Sequence, residues 1–132
     1  MSGRPLAGRR VLVVEDEPLI MIDVTQSLES AGAIVSGAFS IGQALSCAAT
    51  EPFAAAIVDF KLAGDTADRL IDCLVARAVP FVIHTGYAAD YAQRCGAPML
   101  MKPCRSEDLV AAIEAVIRPR PARARQPTAI TI

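Results

Sequence analysis

The chain has 132 residues, of which 53% are apolar, 20% charged and only 5% aromatic. That balance argues against disorder over most of the length, and the length suits one domain rather than two. The formal net charge of −1 argues against a duplex-binding surface, and the single histidine, His84, cannot build a histidine metal cage.

The four cysteines, Cys47, Cys73, Cys95 and Cys104, form no C-x-x-C pair, so zinc-knuckle and thioredoxin readings fail. They read as reduced thiols that serve as small buried hydrophobes. Met1 to Arg10 lacks the apolar core of a signal peptide, and no apolar run approaches the ~18 residues of a membrane span. The expectation is a cytoplasmic protein.

Val11-Leu12-Val13-Val14 reads as a strand buried on both faces, halted by Glu15-Asp16-Glu17-Pro18. A helix follows, with apolar positions at Leu19, Ile20, Ile22, Val24, Leu28 and Ala31 and a stop at Gly32. Ala33 to Phe39 reads as a weaker strand, and Ser40 as the N-cap of a short helix through Thr50. Ala54 to Val58 is a third strand ending on Asp59, followed by a loop with Gly64. The next helix carries Leu70, Ile71, Leu74, Val75 and Ala78. Pro80 to His84 is a fourth strand ending on Thr85-Gly86, and Ala88 to Arg94 a short, poorly amphipathic helix. Pro98 to Met101 is a fifth strand ending on Lys102-Pro103. The last helix has Glu107 and Asp108 in its first turn and Leu109, Val110, Ile113, Val116 and Ile117 on its apolar stripe. Met21, Met99 and Met101 read as core and surface filler.

Five β–α alternations with apolar strands predict an α/β fold, a doubly wound five-stranded parallel sheet of flavodoxin type, order 2-1-3-4-5. Ligands of such sheets bind beyond the carboxyl ends of the strands. There the chain sets Glu15 and Asp16, Asp59, Thr85 and Lys102. Clustered carboxylates repel one another, and an oxygen-only set suits Mg²⁺, with Mn²⁺ as a substitute. A carboxylate nucleophile, a metal, an ammonium and a hydroxyl are what an aspartyl-phosphate requires. Gly86 leaves that site open. Asp65 and Asp68 read as loop and first-turn residues. His84 reads as a satisfied, partly buried strand residue.

The chain resembles response-regulator receiver domains, CheY-like phosphoacceptors of two-component signalling. The resemblance covers about residues 9–118 and rests on Val13-Val14-Glu15-Asp16-Glu17, Ile57-Val58-Asp59, Thr85-Gly86 and Lys102-Pro103, in that order. It implies Asp59 as phosphoacceptor, and Glu15, Asp16, Asp59 and the backbone carbonyl of Lys61 as Mg²⁺ ligands. It also implies Lys102 as the phosphoryl contact, Thr85 as the switch hydroxyl and a cis bond between Lys102 and Pro103. Pro80 to Tyr87 resembles the signature of the single-domain FATGUY subfamily, departing from it at Ile83 and His84. Met99 stands where most receivers carry an aromatic switch residue, and Tyr87 is the candidate substitute. Cys104 replaces the common Phe after Lys-Pro, with no chemical consequence evident from sequence.

The expected function is a stand-alone response regulator. It would take a phosphoryl group from a sensor histidine kinase or histidine phosphotransfer protein and signal by protein–protein contact or act as a phosphate sink. It would be a signalling domain and not an enzyme, with no nucleic-acid or membrane partner; homodimer formation stays open. The alternatives are a phosphorylation-independent receiver-fold adaptor and an aspartyl-phosphate phosphohydrolase. Phosphohydrolases of the haloacid-dehalogenase type need a second Asp where Lys61 stands. Residues 1–8 are expected to be an N-terminal extension and 119–132 a disordered tail. Residues 1–117 carry nine basic and fourteen acidic groups, whereas 118–132 carry four arginines and no acid, so near-neutrality hides an acidic domain with a basic tail.

Overall fold

The computed structural model describes residues 4–59, 67–85, 98–102 and 104–117. In chain order these form β1 (Arg10–Val14), α1 (Pro18–Ser30), β2 (Ile34–Ala38), α2 (Ile41–Thr50), β3 (Ala55–Val58), α3 (Ala67–Ala76), β4 (Phe81–Thr85), β5 (Met99–Met101) and α4 (Ser106–Ile117). The five strands make one parallel sheet in the order β2-β1-β3-β4-β5, as the β–α alternation predicts. The short helix expected over Ala88 to Arg94 lies outside the described residues.

The central strands bury both faces because the alternation of side chains feeds two separate cores. Leu12, Val14, Ala56 and Val58 point to one side and meet Ile41, Ala44, Leu70 and Leu74 of α2 and α3. Val11, Val13, Ala55 and Ile57 point to the other and meet Val24, Leu28, Leu109 and Ile113 of α1 and α4. Parallel registers align the strand ends: Val14 pairs with Val58, and Val58 with Ile83. The polar residues that follow therefore emerge at one edge of the sheet.

The helix ends carry local signals. Pro18 opens α1, where its missing N–H costs nothing. The helix closes in a Schellman motif: the Gly32 N–H donates to the Glu29 carbonyl at 2.9 Å and the Ala33 N–H to the Leu28 carbonyl at 3.0 Å. Gly32 takes a φ of 99°, and a Cβ there would lie 2.8 Å from the Ala7 Cα. The close approach arises because the N-terminal segment is docked: Leu6 is buried and its N–H donates to the Ala31 carbonyl. Ser40 caps α2 by accepting from the Gln43 N–H at 3.1 Å, as its position predicts.

Three expectations are corrected in detail. Leu19 and Ile22 of α1 and Val75 of α3, read as apolar-stripe residues, are exposed. Ala78 lies past α3 in the left-handed region, with φ of 59°. Its N–H donates to the Val75 carbonyl and the next N–H, of Val79, to the Leu74 carbonyl, so Ala78 does a glycine's work in a second Schellman motif. Phe39 falls just outside β2 and is half-exposed.

Candidate functional site: an acidic cluster with one lysine

The sheet hydrogen bonds run one residue past β1 and β3. The Glu15 N–H donates to the Ala38 carbonyl at 3.0 Å and the Asp59 N–H to the Val14 carbonyl at 2.9 Å. Those bonds fix the backbone of two acidic residues that the strands have carried almost wholly out of water: Glu15 is 2% exposed and Asp59 1%. Asp16, one residue on, is exposed. One carboxylate oxygen from each of the three lies within 4.8 Å of the others.

Lys102, just beyond β5, closes the cluster. Its Nζ donates to Glu15 Oε1 at 2.8 Å and lies 3.2 Å from Asp59 Oδ2. The second oxygen of Glu15 accepts from the Glu17 N–H at 3.1 Å. Burial raises the Glu15 carboxyl above its ordinary value; the bonds from Lys102 and Glu17 oppose this, and Asp59 reinforces it. Burial alone would lower Lys102, but its bond to Glu15 and the charge of Asp59 outweigh burial and raise it. The ammonium is thus held charged between two buried carboxylates. Three carboxylates against one ammonium leave excess negative charge on oxygen donors alone, and that donor set fits a hard divalent cation such as Mg²⁺.

Four of the residues expected at this site, Glu15, Asp16, Asp59 and Lys102, are brought together. Thr85 ends β4 and pairs with Met101 in the sheet, which puts its backbone at the same edge. The carbonyl of Lys61, Tyr87 and the Lys102–Pro103 bond lie outside the described residues. Met99 pairs with Ile83 on the edge strand and is 36% exposed.

The sequence gives Cys104 no role, yet its Sγ lies 3.6 Å from Nε2 of His84. His84, read from sequence as partly buried, is only 5% exposed, and burial together with the nearby Lys102 charge lowers its pKa. Burial raises the Cys104 thiol, with Asp108 and Asp23 adding to the effect. His84 directly precedes Thr85 and Cys104 follows Lys102 by two residues, but no motif spacing marks their approach.

No protein-family model matches the chain, and no curated protein matches it. Solved structures do. A CheY-like response regulator receiver domain protein from Methanospirillum hungatei JF-1 is 28% identical, with TM-score 0.75 over 84% of this chain and 94% of that one. The receiver domain of the sensor histidine kinase PA1611 from Pseudomonas aeruginosa PAO1 is 24% identical, with TM-score 0.74 over 84% and 98%. That structure holds a magnesium ion in its active-site cleft. A response regulator receiver protein from Sinorhizobium medicae WSM419 is 20% identical, with TM-score 0.76 over 83% and 94%. The chain has the flavodoxin-like fold of response-regulator receiver domains.

Proposed function

We propose that the protein is a receiver that accepts a phosphoryl group on Asp59 from a phosphohistidine of a sensor kinase or phosphotransfer protein. The observation that carries this is the buried Asp59 carboxylate, 3.2 Å from the Lys102 ammonium and beside Glu15 and Asp16. In the transfer, an Asp59 oxygen forms the new O–P bond as the N–P bond of the donor breaks. The donor imidazole keeps the bonding pair and is released neutral once protonated. Lys102 stands where it can meet negative charge on the phosphoryl oxygens. Glu15 and Asp16, with Asp59, would hold Mg²⁺, whose chemistry is to neutralise phosphoryl charge during transfer. The receiver domain with magnesium in its cleft supports that assignment. The single histidine of this chain, His84, is buried against Cys104, in keeping with a donor on another protein.

On this reading Thr85 follows the phosphoryl group and shifts an equilibrium of the loop after it. The residues from Pro80 to Tyr87 and an exposed Met99 support a FATGUY-type receiver, in which Tyr87 serves the switch. Output is contact with another protein, or drainage of phosphate from a kinase. Beryllofluoride with Mg²⁺ tests the phosphoacceptor role: amide spectra should change only when both are present and should not change in Asp59→Asn. A response without Mg²⁺, or one kept in Asp59→Asn, overturns it.

A further inference from the structure

Among the described residues, the sheet ends on β2. The inner side of that strand is bonded to β1: the Ile34 N–H donates to the Arg9 carbonyl, and the Ala38 carbonyl accepts from the Glu15 N–H. Backbone groups alternate sides along a parallel strand, so Val35 and Gly37 direct theirs away from the sheet. From Ile34 to Phe39 the chain has no charge and no proline, the usual means of blunting such an edge. Exposed apolar side chains gather there instead: Ile34 is 47% exposed and Phe39 49%. Ile22 of α1, 52% exposed, joins them. Met21 lies against Gly37, and Ile20 and Ser27 turn toward α4, so the helical period sets Ile22 on the flank over β2.

We propose that this edge is an isologous interface for a second copy of the chain, β2 pairing antiparallel with β2 about a two-fold axis at Ser36. The register follows from the open backbone groups. Val35 of one copy exchanges both hydrogen bonds with Gly37 of the other, and the two Ser36 residues form the non-bonded pair between them. Pairing Val35 with Val35 would require the Ala33 N–H, which already donates to the Leu28 carbonyl. Pairing Gly37 with Gly37 would require the Phe39 N–H, which donates to Gln43 Oε1 at 2.7 Å. The remaining register also sets large side chains against small ones: Ile34 against Ala38, Val35 against Gly37 and Phe39 against Ala33. Its axis stands normal to the sheet, so the two α1 helices share one face with their Ile22 flanks adjacent. Charge selects the antiparallel sense. At the amino end of the strands Arg4, Arg9 and Arg10 outnumber Glu29 and Glu51, whereas Asp16 and Glu17 extend the acidic cluster at the carboxyl end. Antiparallel pairing sets unlike ends together, and parallel pairing would set like on like. Two sheets become one, with acidic clusters at opposite ends, and the proposal does not rest on the phosphoacceptor reading.

Sedimentation of the full chain should show dimers at about 100 µM, where a Kd of about 10 µM leaves most of it paired. Ile22→Lys and Ile34→Lys, at exposed positions, should each weaken pairing at least about tenfold while circular dichroism keeps the parent fold. Ser36→Cys tests the register, because a non-bonded antiparallel pair holds its Cα atoms about 4.5 Å apart, within disulfide range. Mild oxidation should give a disulfide joining position 36 of two copies, read by peptide mass. Ala111→Cys, exposed on α4, should give no such cross-link at position 111. A monomer at that concentration, a dimer unchanged in both lysine variants, or no cross-link at position 36 in the folded variant overturns the proposal.

Discussion

Lys102→Ala leaves two buried carboxylates, Glu15 and Asp59, facing each other without the ammonium that now lies 2.8 and 3.2 Å away. Breaking a buried pair from one side costs about 3–5 kcal/mol, and the 15% exposure of the lysine side chain places this case at about 2–4. For a domain of this size that is a fall in Tm of roughly 10 °C. The deficit should depend on pH. The Glu15 pKa is raised in the fold, so its contribution is fully present below the ordinary value of 4.5 and is lost as pH rises through the folded value. Lys102→Ala removes the hydrogen bond that opposes this shift, so Glu15 rises further and protonates more readily in the variant. Thermal unfolding should show a small difference from the parent near pH 4.5 and the full difference at about pH 7.5. The variant cluster also has one positive charge fewer, so Mg²⁺ should bind it about tenfold more tightly and return roughly 1.4 kcal/mol more stability than it gives the parent. Equal deficits at both pH values, or equal stabilisation by Mg²⁺, would refute this account of the cluster.

Two backbone positions give further tests. Ala78→Gly relieves a left-handed alanine at φ 59° and should stabilise the fold by about 1 kcal/mol in urea unfolding; a loss of stability would show that Ala78 is not strained. Gly32→Ala meets both a φ of 99° and the Ala7 backbone 2.8 Å away, and should cost at least about 2 kcal/mol. Removing residues 1–8 should recover part of that cost, because the close approach goes with the segment; no recovery would mean that φ alone sets it.

The sheet order and the acidic cluster are legible in sequence for one physical reason. Runs such as Val11 to Val14 and Ala54 to Val58 are too apolar to face water, and they stop abruptly at Glu15 and Asp59. Burial on both faces then fixes where the charged residues emerge. The helices are less legible. α1 carries apolar residues around much of its circumference, so period alone does not show that Leu19 and Ile22 face solvent while Met21 is buried. The left-handed turn at Ala78 is invisible because the residue that marks such turns, glycine, is not used. The docking of Leu6 depends on a contact with the far end of α1 that no local pattern encodes. The approach of His84 to Cys104 belongs to the same class: it is set by the register of β4 with β5 and by the path into α4, not by any motif spacing.

The central claim is that Asp59 is a phosphoryl acceptor served by the acidic cluster and Lys102. Incubation with acetyl phosphate, followed by intact and peptide mass, tests it most directly. The account predicts one added phosphoryl group, dependent on Mg²⁺, carried on Asp59 and absent from Asp59→Asn. A phosphoryl group on another residue, or no Mg²⁺-dependent gain in mass at all, would contradict it.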